Sequence, residues 1–201
     1  MDNKEIGTKR LADEISGGCR HKKLSEEFEK KLSELSKTHD AIKEEIKNQL
    51  ENQGFKCNEE VDLEVDINDS KLRGRADIAC REPIELIIEV KSSKIGRGRI
   101  ADIYQALIYG YMWKRKYGKE PQVMLVYSNY SITSNTVVVV DLGSSIRLKV
   151  PGRYFYIKLN IKLNLVEGLV SELSKSGYVL SRDCEYCVNE NCPLNKVKLT
   201  Q

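Results

Sequence analysis

Two acidic residues and a lysine stand beside apolar segments in the stretch LRGRADIACREPIELIIEVK, residues 72–91. Asp77 precedes the short apolar segment IAC, while Glu89 and Lys91 come at the end of the longer segment IELIIEVK. Residues two apart on a strand share a face, so Glu89 and Lys91 are expected to point the same way. Because burial of a charge is costly without a partner, this placement indicates a chemical role.

A tight connection at Arg81–Pro83 predicts that the two segments form an antiparallel hairpin. That pairing sets Asp77 opposite residue 88 or 89, so two carboxylates converge with a lysine beside them. A hard cation such as Mg²⁺ or Mn²⁺ would neutralise the carboxylates, and the lysine would then act on a water or a phosphate oxygen. The alternative is a salt-bridged strand pair on a solvated face.

A long amphipathic helix is predicted over residues 24–53 and is expected to end at Gly54. Its apolar positions follow steps of three and four, with one gap of seven: Leu24, Phe28, Leu32, Leu35, Ile42, Ile46 and Leu50. His39 lies inside that gap, so its imidazole is expected to face inward. The alternative role for His39 is a core histidine bonded to backbone.

The remaining pattern predicts an α/β domain with a mixed sheet. Strands are expected at 61–67, 72–80, 84–91, 122–129, 136–142 and, as a short edge strand, 154–159; helices at 101–118 and 160–176. The segment QVMLVYSN is apolar over most of its length, which is typical of a strand covered on both faces.

Composition limits the cellular setting and the partners. The chain has 201 residues, 31% of them charged, and a net charge of +3, which permits nucleic acid as a partner without requiring it. No apolar segment approaches the roughly 20 residues that span a bilayer. We therefore expect a cytoplasmic protein with no membrane partner, and homo-oligomerisation is left open.

Three cysteines with the spacing C-x2-C-x4-C stand in CEYCVNENCPL: Cys184, Cys187 and Cys192. Clustered cysteines in a cytosolic chain favour a metal site over disulfides. Tetrahedral thiolate sites take four ligands, and the three remaining cysteines are candidates for the fourth. Cys19 is favoured, because Cys80 fits a core position, while Cys57 lies just before a strand and has no partner nearby. An iron–sulfur cluster is preferred to zinc.

Taken in order, four short motifs resemble the RecB-like branch of the PD-(D/E)xK nuclease superfamily. They are His39 on an early helix, Gly74-Arg75-Ala76-Asp77, Glu89-Val90-Lys91, and the helical Gln105-Ala106-Leu107-Ile108-Tyr109. With one N-terminal and three C-terminal cysteines, the chain resembles the CRISPR-associated four-cysteine RecB-like exonuclease family over residues 19–193.

The resemblance implies a restriction-endonuclease-like core and a role for each residue of these motifs. His39, Asp77 and Glu89 would be side-chain ligands of one catalytic Mn²⁺ or Mg²⁺, with the Val90 carbonyl as a further ligand. Lys91 would position or activate the attacking water and stabilise charge on the phosphate.

The resemblance also extends to the helix and to the cysteines. Gln105 and Tyr109, one helical turn apart, would orient the site or contact DNA. A 4Fe-4S cluster would join the N-terminal arm to the C-terminus through Cys19, Cys184, Cys187 and Cys192. His21 is an alternative fourth ligand, which would give a zinc site instead. The expected organisation is an N-terminal arm (1–23), a RecB-like nuclease core (24–176) and a C-terminal cysteine segment (177–201).

The expected activity is exonucleolytic hydrolysis of single-stranded DNA, with endonuclease activity as an addition, in CRISPR spacer acquisition or related DNA-end processing. CRISPR integrase proteins are the expected protein partners. Phosphates would be neutralised by Lys94, Arg97, Arg99, Lys114, Arg115 and Lys116. Surfaces for base stacking would come from Tyr104, Tyr109, Tyr111 and Trp113, although aromatic residues at helical spacing more often belong to a core. The alternatives are a non-catalytic DNA-binding subunit of an integration complex and a zinc-containing structural protein.

Overall fold

The computed structural model describes residues 4–16, 26–67, 70–91, 100–131, 134–141 and 153–158, together with positions 163, 166 and 168. The elements in chain order are β1 (Lys4–Gly7), α1 (Thr8–Ile15), α2 (Glu26–Glu51), β2 (Lys56–Ile67), β3 (Ser70–Glu82), β4 (Leu86–Lys91), α3 (Ile100–Tyr117), β5 (Gln122–Ser131), β6 (Ser134–Asp141) and β7 (Arg153–Lys158).

These strands form one mixed sheet with the order β1-β3-β4-β5-β6-β7, and β2 pairs with β3 off this path. Pairing is antiparallel for β2–β3, β3–β4 and β5–β6. It is parallel for β1–β3, β4–β5 and β6–β7. The predicted α/β fold with a mixed sheet, the β3–β4 hairpin and the edge position of β7 are therefore confirmed.

Apolar cores cover both faces of the central strands. On one face Ile46 and Leu50 of α2 pack in a core with Ile88 of β4. On the other face α1 and α3 pack against Ile87 of β4 and Leu125 of β5. Strands that are buried on both faces consist of nearly continuous apolar residues. This explains why apolar and polar residues do not alternate in β4 and in the first half of β5.

Helix ends follow the local signals in the sequence. Gly54 lies just after α2 with φ of 87°, and Gly118 just after α3 with φ of 73°. Glycine adopts this left-handed conformation without steric cost. α3 ends next to Gly118 as predicted, whereas α2 ends at Glu51, two residues before the predicted end.

One edge of β3 is shared by two different strands. β1 pairs with residues 70–73 of β3, and β4 pairs with residues 78–80. Residues 74–77, the GRAD segment, lie between these two partners. The Asp77 side chain instead receives a hydrogen bond from the Val90 amide at 2.7 Å. The sheet therefore opens where the predicted site residues stand, as ligand sites do where strands diverge.

The β2–β3 pair also changes its buried face at this point. Cys57 belongs to the α2-side core, whereas Leu63 and Val65, which have the same parity along the strand, belong to the α3-side core. The change falls at Glu60, a non-glycine residue with φ of 52°. Neighbouring positions 59 and 61 pair with 78 and 76, so Glu60 lies beside Asp77.

Residues 4–15, assigned from the sequence to an N-terminal arm, form regular structure. β1 joins the sheet edge, and α1 buries Thr8, Leu11 and Ala12 against the core. Four residues of strand followed by two helical turns are too short for periodicity to reveal, so tertiary packing decides this segment.

Cys57 was expected to lack a partner, and this is wrong. β2 begins at Lys56, several residues before the alternating segment, and its register sets Cys57 directly opposite Cys80. The two residues form a disulfide. The prediction that Cys80 is a core residue is confirmed, since its side chain is buried. The disulfide leaves four of the six cysteines for a thiolate site.

Other predicted features fall largely outside the described residues. For the helix expected at 160–176, the structure describes a buried Leu163, a buried helical Val166 and an exposed helical Gly168. The basic segment 92–99 lies outside, as do Cys19, His21, Cys184, Cys187 and Cys192. None of the described helices is both long and apolar enough to span a bilayer.

Candidate active site

His39 reaches the sheet from the inward face of α2. Its Nε2 lies 2.9 Å from the Val90 carbonyl oxygen and 3.5 Å from Asp77 Oδ2. The contact with Asp77 raises the pKa of His39, although burial acts in the opposite direction. His39 therefore bonds to backbone, as the alternative role predicts, and it also faces a carboxylate.

Asp77 is almost fully buried between α2 and β4. Burial alone would raise the pKa of its carboxyl group, but hydrogen bonds from His39 and the Val90 amide outweigh burial and lower that pKa. Asp77 is therefore held as an anion at the opening of the sheet.

Glu89 is only 2% exposed. Its Oε1 accepts a hydrogen bond from Lys91 Nζ at 2.5 Å. In the ionised form its Oε2 has no hydrogen-bond partner in the described part of the chain, whereas a protonated Glu89 forms a hydrogen bond with the Asp77 carboxylate. Burial raises the pKa of Glu89 to about 8, the Lys91 ammonium opposes this, and the Asp77 carboxylate adds to it. A buried carboxylate oxygen without a partner is costly, so it marks a place where a cation would bind.

Lys91 is fixed by residues of α3. Its Nζ lies 2.9 Å from Gln105 Oε1, and Gln105 Nε2 donates to Tyr109 Oη at 3.3 Å. Burial alone would lower the pKa of Lys91, but the Glu89 carboxylate outweighs burial and raises it. Gln105 and Tyr109 are both buried. The polar contacts thus run without a break from Glu89 to Tyr109.

Asp102 and Tyr127 adjoin this group, although the motifs did not reveal them. Tyr127 pairs with Lys91 in the β4–β5 register, and its Oη donates to Asp102 Oδ2 at 3.1 Å. The Asp102 charge is one of the influences that raise the pKa of Lys91. Asp102 precedes Gln105 by three residues on α3, so the two residues lie on the same face of the helix. This spacing is the signal in the sequence that places Asp102 near the site.

Gly74 allows Tyr109 to approach the open edge of β3. A Cβ added at Gly74 would lie 2.6 Å from Tyr109 Cε1 and closer still to Thr8 Oγ1. Thr8 Oγ1 in turn donates to the Arg73 carbonyl at 3.1 Å. The glycine of the GRAD segment is therefore required by close packing at the site.

Substitution of Gly74 by alanine is expected to lower the free energy of unfolding by about 1–3 kcal/mol, because Thr8 and Tyr109 must move apart. Urea unfolding of the purified chain measures this loss. Gly7→Ala is the control, since no atom of the described residues lies within 4 Å of a Cβ added there. Equal stability of the two variants would contradict the packing argument.

As they stand, these side chains do not form a metal site. Across the described residues, no group of three or more His, Cys, Asp and Glu residues is arranged to hold a metal ion. The reason is that the donor atoms face protein partners: His39 Nε2 contacts the Val90 carbonyl, and Glu89 Oε1 contacts Lys91. The set of ligand atoms nonetheless suits a hard cation, and Glu89 Oε2 is a buried oxygen to which the described residues, when Glu89 is ionised, offer no partner.

The predicted stacking platforms for bases are mostly absent. Tyr109, Tyr111 and Trp113 are 4%, 6% and 1% exposed, so they belong to the core instead. An α3 that packs against α1 and the sheet buries most of its circumference. The structure therefore agrees with the core alternative that helical spacing favours. Of the basic residues at the end of α3, Lys114 pairs with Glu120 at 2.7 Å.

Comparisons with known proteins do not identify a family for this chain. No protein-family model matches the chain, and no curated protein matches it. One solved structure, titled "Crystal structure of SSO0001", is 15% identical, with a TM-score of 0.48, over 96% of this chain and 88% of that chain. A likeness at this level assigns neither a family nor an activity.

Proposed function

We propose that this chain is a Mn²⁺- or Mg²⁺-dependent DNA nuclease with a restriction-endonuclease-like core of the RecB-like branch. The observation that carries the proposal is the buried Asp77–Glu89–Lys91 group at the opening of the sheet, in which the ionised Glu89 Oε2 has no partner in the described part of the chain. The order of the sequence motifs supports the same activity. A purely structural ion pair would not need a buried carboxylate oxygen without a partner.

Three side chains and one carbonyl would hold the cation. Asp77, Glu89 and His39 supply the side-chain donors, and the Val90 carbonyl, which now faces His39, supplies the fourth. The bound ion would polarise the phosphodiester and lower the pKa of a water. His39 must be neutral to bind it, so binding releases any proton that the imidazole shares with Asp77.

Lys91 contributes a positioned positive charge. An ammonium has three N–H donors, and the described contacts direct two of them to Glu89 and Gln105. The third is available for the attacking water or for a phosphate oxygen, where it stabilises developing negative charge. Tyr109 acts indirectly, because its hydroxyl group fixes the amide of Gln105.

The substrate class rests on the resemblance. Single-stranded DNA ends are the leading substrate, with exonuclease activity first and endonuclease activity as an addition. DNA-end processing in CRISPR spacer acquisition, with integrase proteins as partners, is the proposed setting. The buried aromatic residues of α3 weaken base stacking as the means of recognition, so contacts to the phosphate backbone carry more of the binding.

A 4Fe-4S cluster held by Cys19, Cys184, Cys187 and Cys192 completes the proposal. The Cys57–Cys80 disulfide supports this set because it removes two competitors from the six cysteines. A zinc site with His21 in place of Cys19 is the alternative. The cluster would absorb near roughly 400 nm, whereas zinc is colourless.

One preparation tests both parts of the proposal. The chain is purified without oxygen, its absorption spectrum is recorded, and labelled single- and double-stranded DNA is added with Mn²⁺, Mg²⁺ or a chelator. Cleavage of single-stranded DNA that requires the metal ion is the expected result. A metal-loaded, folded protein that leaves every DNA intact would contradict the nuclease and favour a non-catalytic DNA-binding subunit.

A further inference from the structure

Arg75 stands beside the proposed site without belonging to it. It precedes Asp77 by two residues on β3, a distance of about 7 Å along an extended strand. Its neighbours Gly74 and Ala76 face Tyr109 and the α3-side core, so Arg75 points to the opposite side. Its side chain is 60% exposed. An arginine is long enough to reach a group bound at Asp77 from this position.

Ion pairs place Arg75 on the same side of the sheet as α2. Its Nη1 lies 3.7 Å from Glu60 Oε2, and the other oxygen of Glu60 pairs with Lys43. Lys43 follows His39 by one helical turn, so the two share a face of α2. Arg75 therefore lies on the α2 side of the sheet, the side from which His39 contacts Asp77.

The present partners of Arg75 can be exchanged at low cost. Its Nε donates to Asp62 at 2.9 Å, but Asp62 is 79% exposed. Exposed ion pairs contribute little to stability, because water screens the charges. A phosphodiester offers the guanidinium a matching pair of oxygens. An incoming phosphate at the site would therefore displace Asp62, while Glu60 stays anchored by Lys43.

We propose that Arg75 is a substrate-positioning residue that binds a phosphate of the DNA strand next to the one being cleaved. In the free protein Asp62 and Glu60 hold the guanidinium on the α2 side of the sheet, and DNA replaces Asp62 as its partner. This inference rests on the proposed nuclease function, because it assigns to that site one residue that selects a phosphodiester backbone.

Three variants test the proposal through binding of a short fluorescent single-stranded oligonucleotide, measured with a chelator present to prevent cleavage. Arg75→Gln is expected to weaken binding about tenfold and to lower the dependence of log affinity on log salt by about one. Asp62→Asn is expected to tighten binding several-fold by freeing the guanidinium. Lys56→Gln is the control, since it removes one exposed cation that pairs with Glu82 at 2.6 Å.

Kinetics in Mn²⁺ separate positioning from structural damage. Arg75→Gln should raise KM more than it lowers kcat, and Arg75→Lys should restore part of the affinity. If the wild-type chain cleaves DNA and the Arg75→Gln variant binds the oligonucleotide as tightly as the wild-type chain, the inference about Arg75 is wrong. The nuclease proposal is then unaffected. If the wild-type chain neither binds nor cleaves DNA, the nuclease itself fails. Weaker binding by Asp62→Asn would contradict the proposed exchange of partners.

Discussion

Replacement of Lys91 by alanine is expected to lower the rate of DNA cleavage about 10²–10³-fold, the range seen when one positioned donor to a transition state is removed. Lys91 carries the ammonium closest to Glu89, at 2.5 Å, and Gln105 fixes its direction. The loss should appear in the single-turnover rate with enzyme in excess, since binding is then saturated. Binding of the oligonucleotide should change much less than the rate.

Lys47→Ala is the matched control for Lys91→Ala. Lys47 lies on α2 and pairs with Glu59 at 3.4 Å, so its removal also breaks one lysine–glutamate pair in the fold. Circular dichroism and urea unfolding of both variants show whether the fold is intact. A folded Lys91→Ala chain that cleaves DNA at the wild-type rate would remove Lys91 from the mechanism.

Much of the fold follows from local patterns in the sequence. The seven-residue gap around His39 places the imidazole inward, and the structure bears this out by setting it against the Val90 carbonyl. The Arg81–Pro83 connection predicts the hairpin, and its register pairs Ile78 with Ile88, which brings Asp77 beside Glu89. These features depend on strand and helix periods and on one short turn, so a single sequence determines them.

Features that depend on distant contacts could not be predicted in the same way. The pairing of β1 with residues 70–73 joins segments more than 60 residues apart, and it creates the opening at the GRAD segment. The partner of Cys57 depends on how far β2 extends beyond its alternating half. Burial of Trp113 depends on Ile87 and Val123 of the sheet, which lie in the same core cluster. In each case tertiary packing decides what local propensity leaves open.

The buried Glu89 of the site also lowers the stability of the fold. Glu89 is buried beside another carboxylate, and its Oε2 has no hydrogen bond among the described residues. Proteins tolerate such groups where function requires them. The neighbouring Asp77 differs, because its hydrogen bonds lower its pKa and favour the anion. Glu89 is thus the group whose charge works against folding.

The substitution Glu89→Gln is therefore expected to stabilise the metal-free chain at alkaline pH while it abolishes cleavage. The pKa of Glu89 is raised from an ordinary 4.5 to about 8, so the folded state holds the proton more tightly than the unfolded state. Stability from this group is complete below pH 4.5 and is lost as the pH rises towards 8. Glutamine cannot ionise, so the variant escapes this loss.

The free energy of unfolding of the variant should exceed that of the wild-type chain by on the order of 2–4 kcal/mol above pH 8. The upper limit is about 1.36 kcal/mol for each unit of pKa shift. The expected gain is smaller because Lys91 and Asp77 titrate together with Glu89. Urea unfolding with a chelator present, at several pH values, measures it. Near pH 5 the two proteins should differ little, since Glu89 is then protonated in the folded state. Glu82→Gln is the control, because that carboxylate is 62% exposed and pairs with Lys56.

Addition of Mn²⁺ should reverse the order of stability at pH 8. The ion binds the folded wild-type chain through the Glu89 carboxylate and stabilises it by mass action, whereas the glutamine variant lacks that charge. A variant that gains as much stability from Mn²⁺ as the wild-type chain would exclude Glu89 as a ligand. A variant less stable than the wild-type chain at pH 8 without metal would show that the Glu89 anion is satisfied in the fold, and the strongest reason for placing a cation there would be lost.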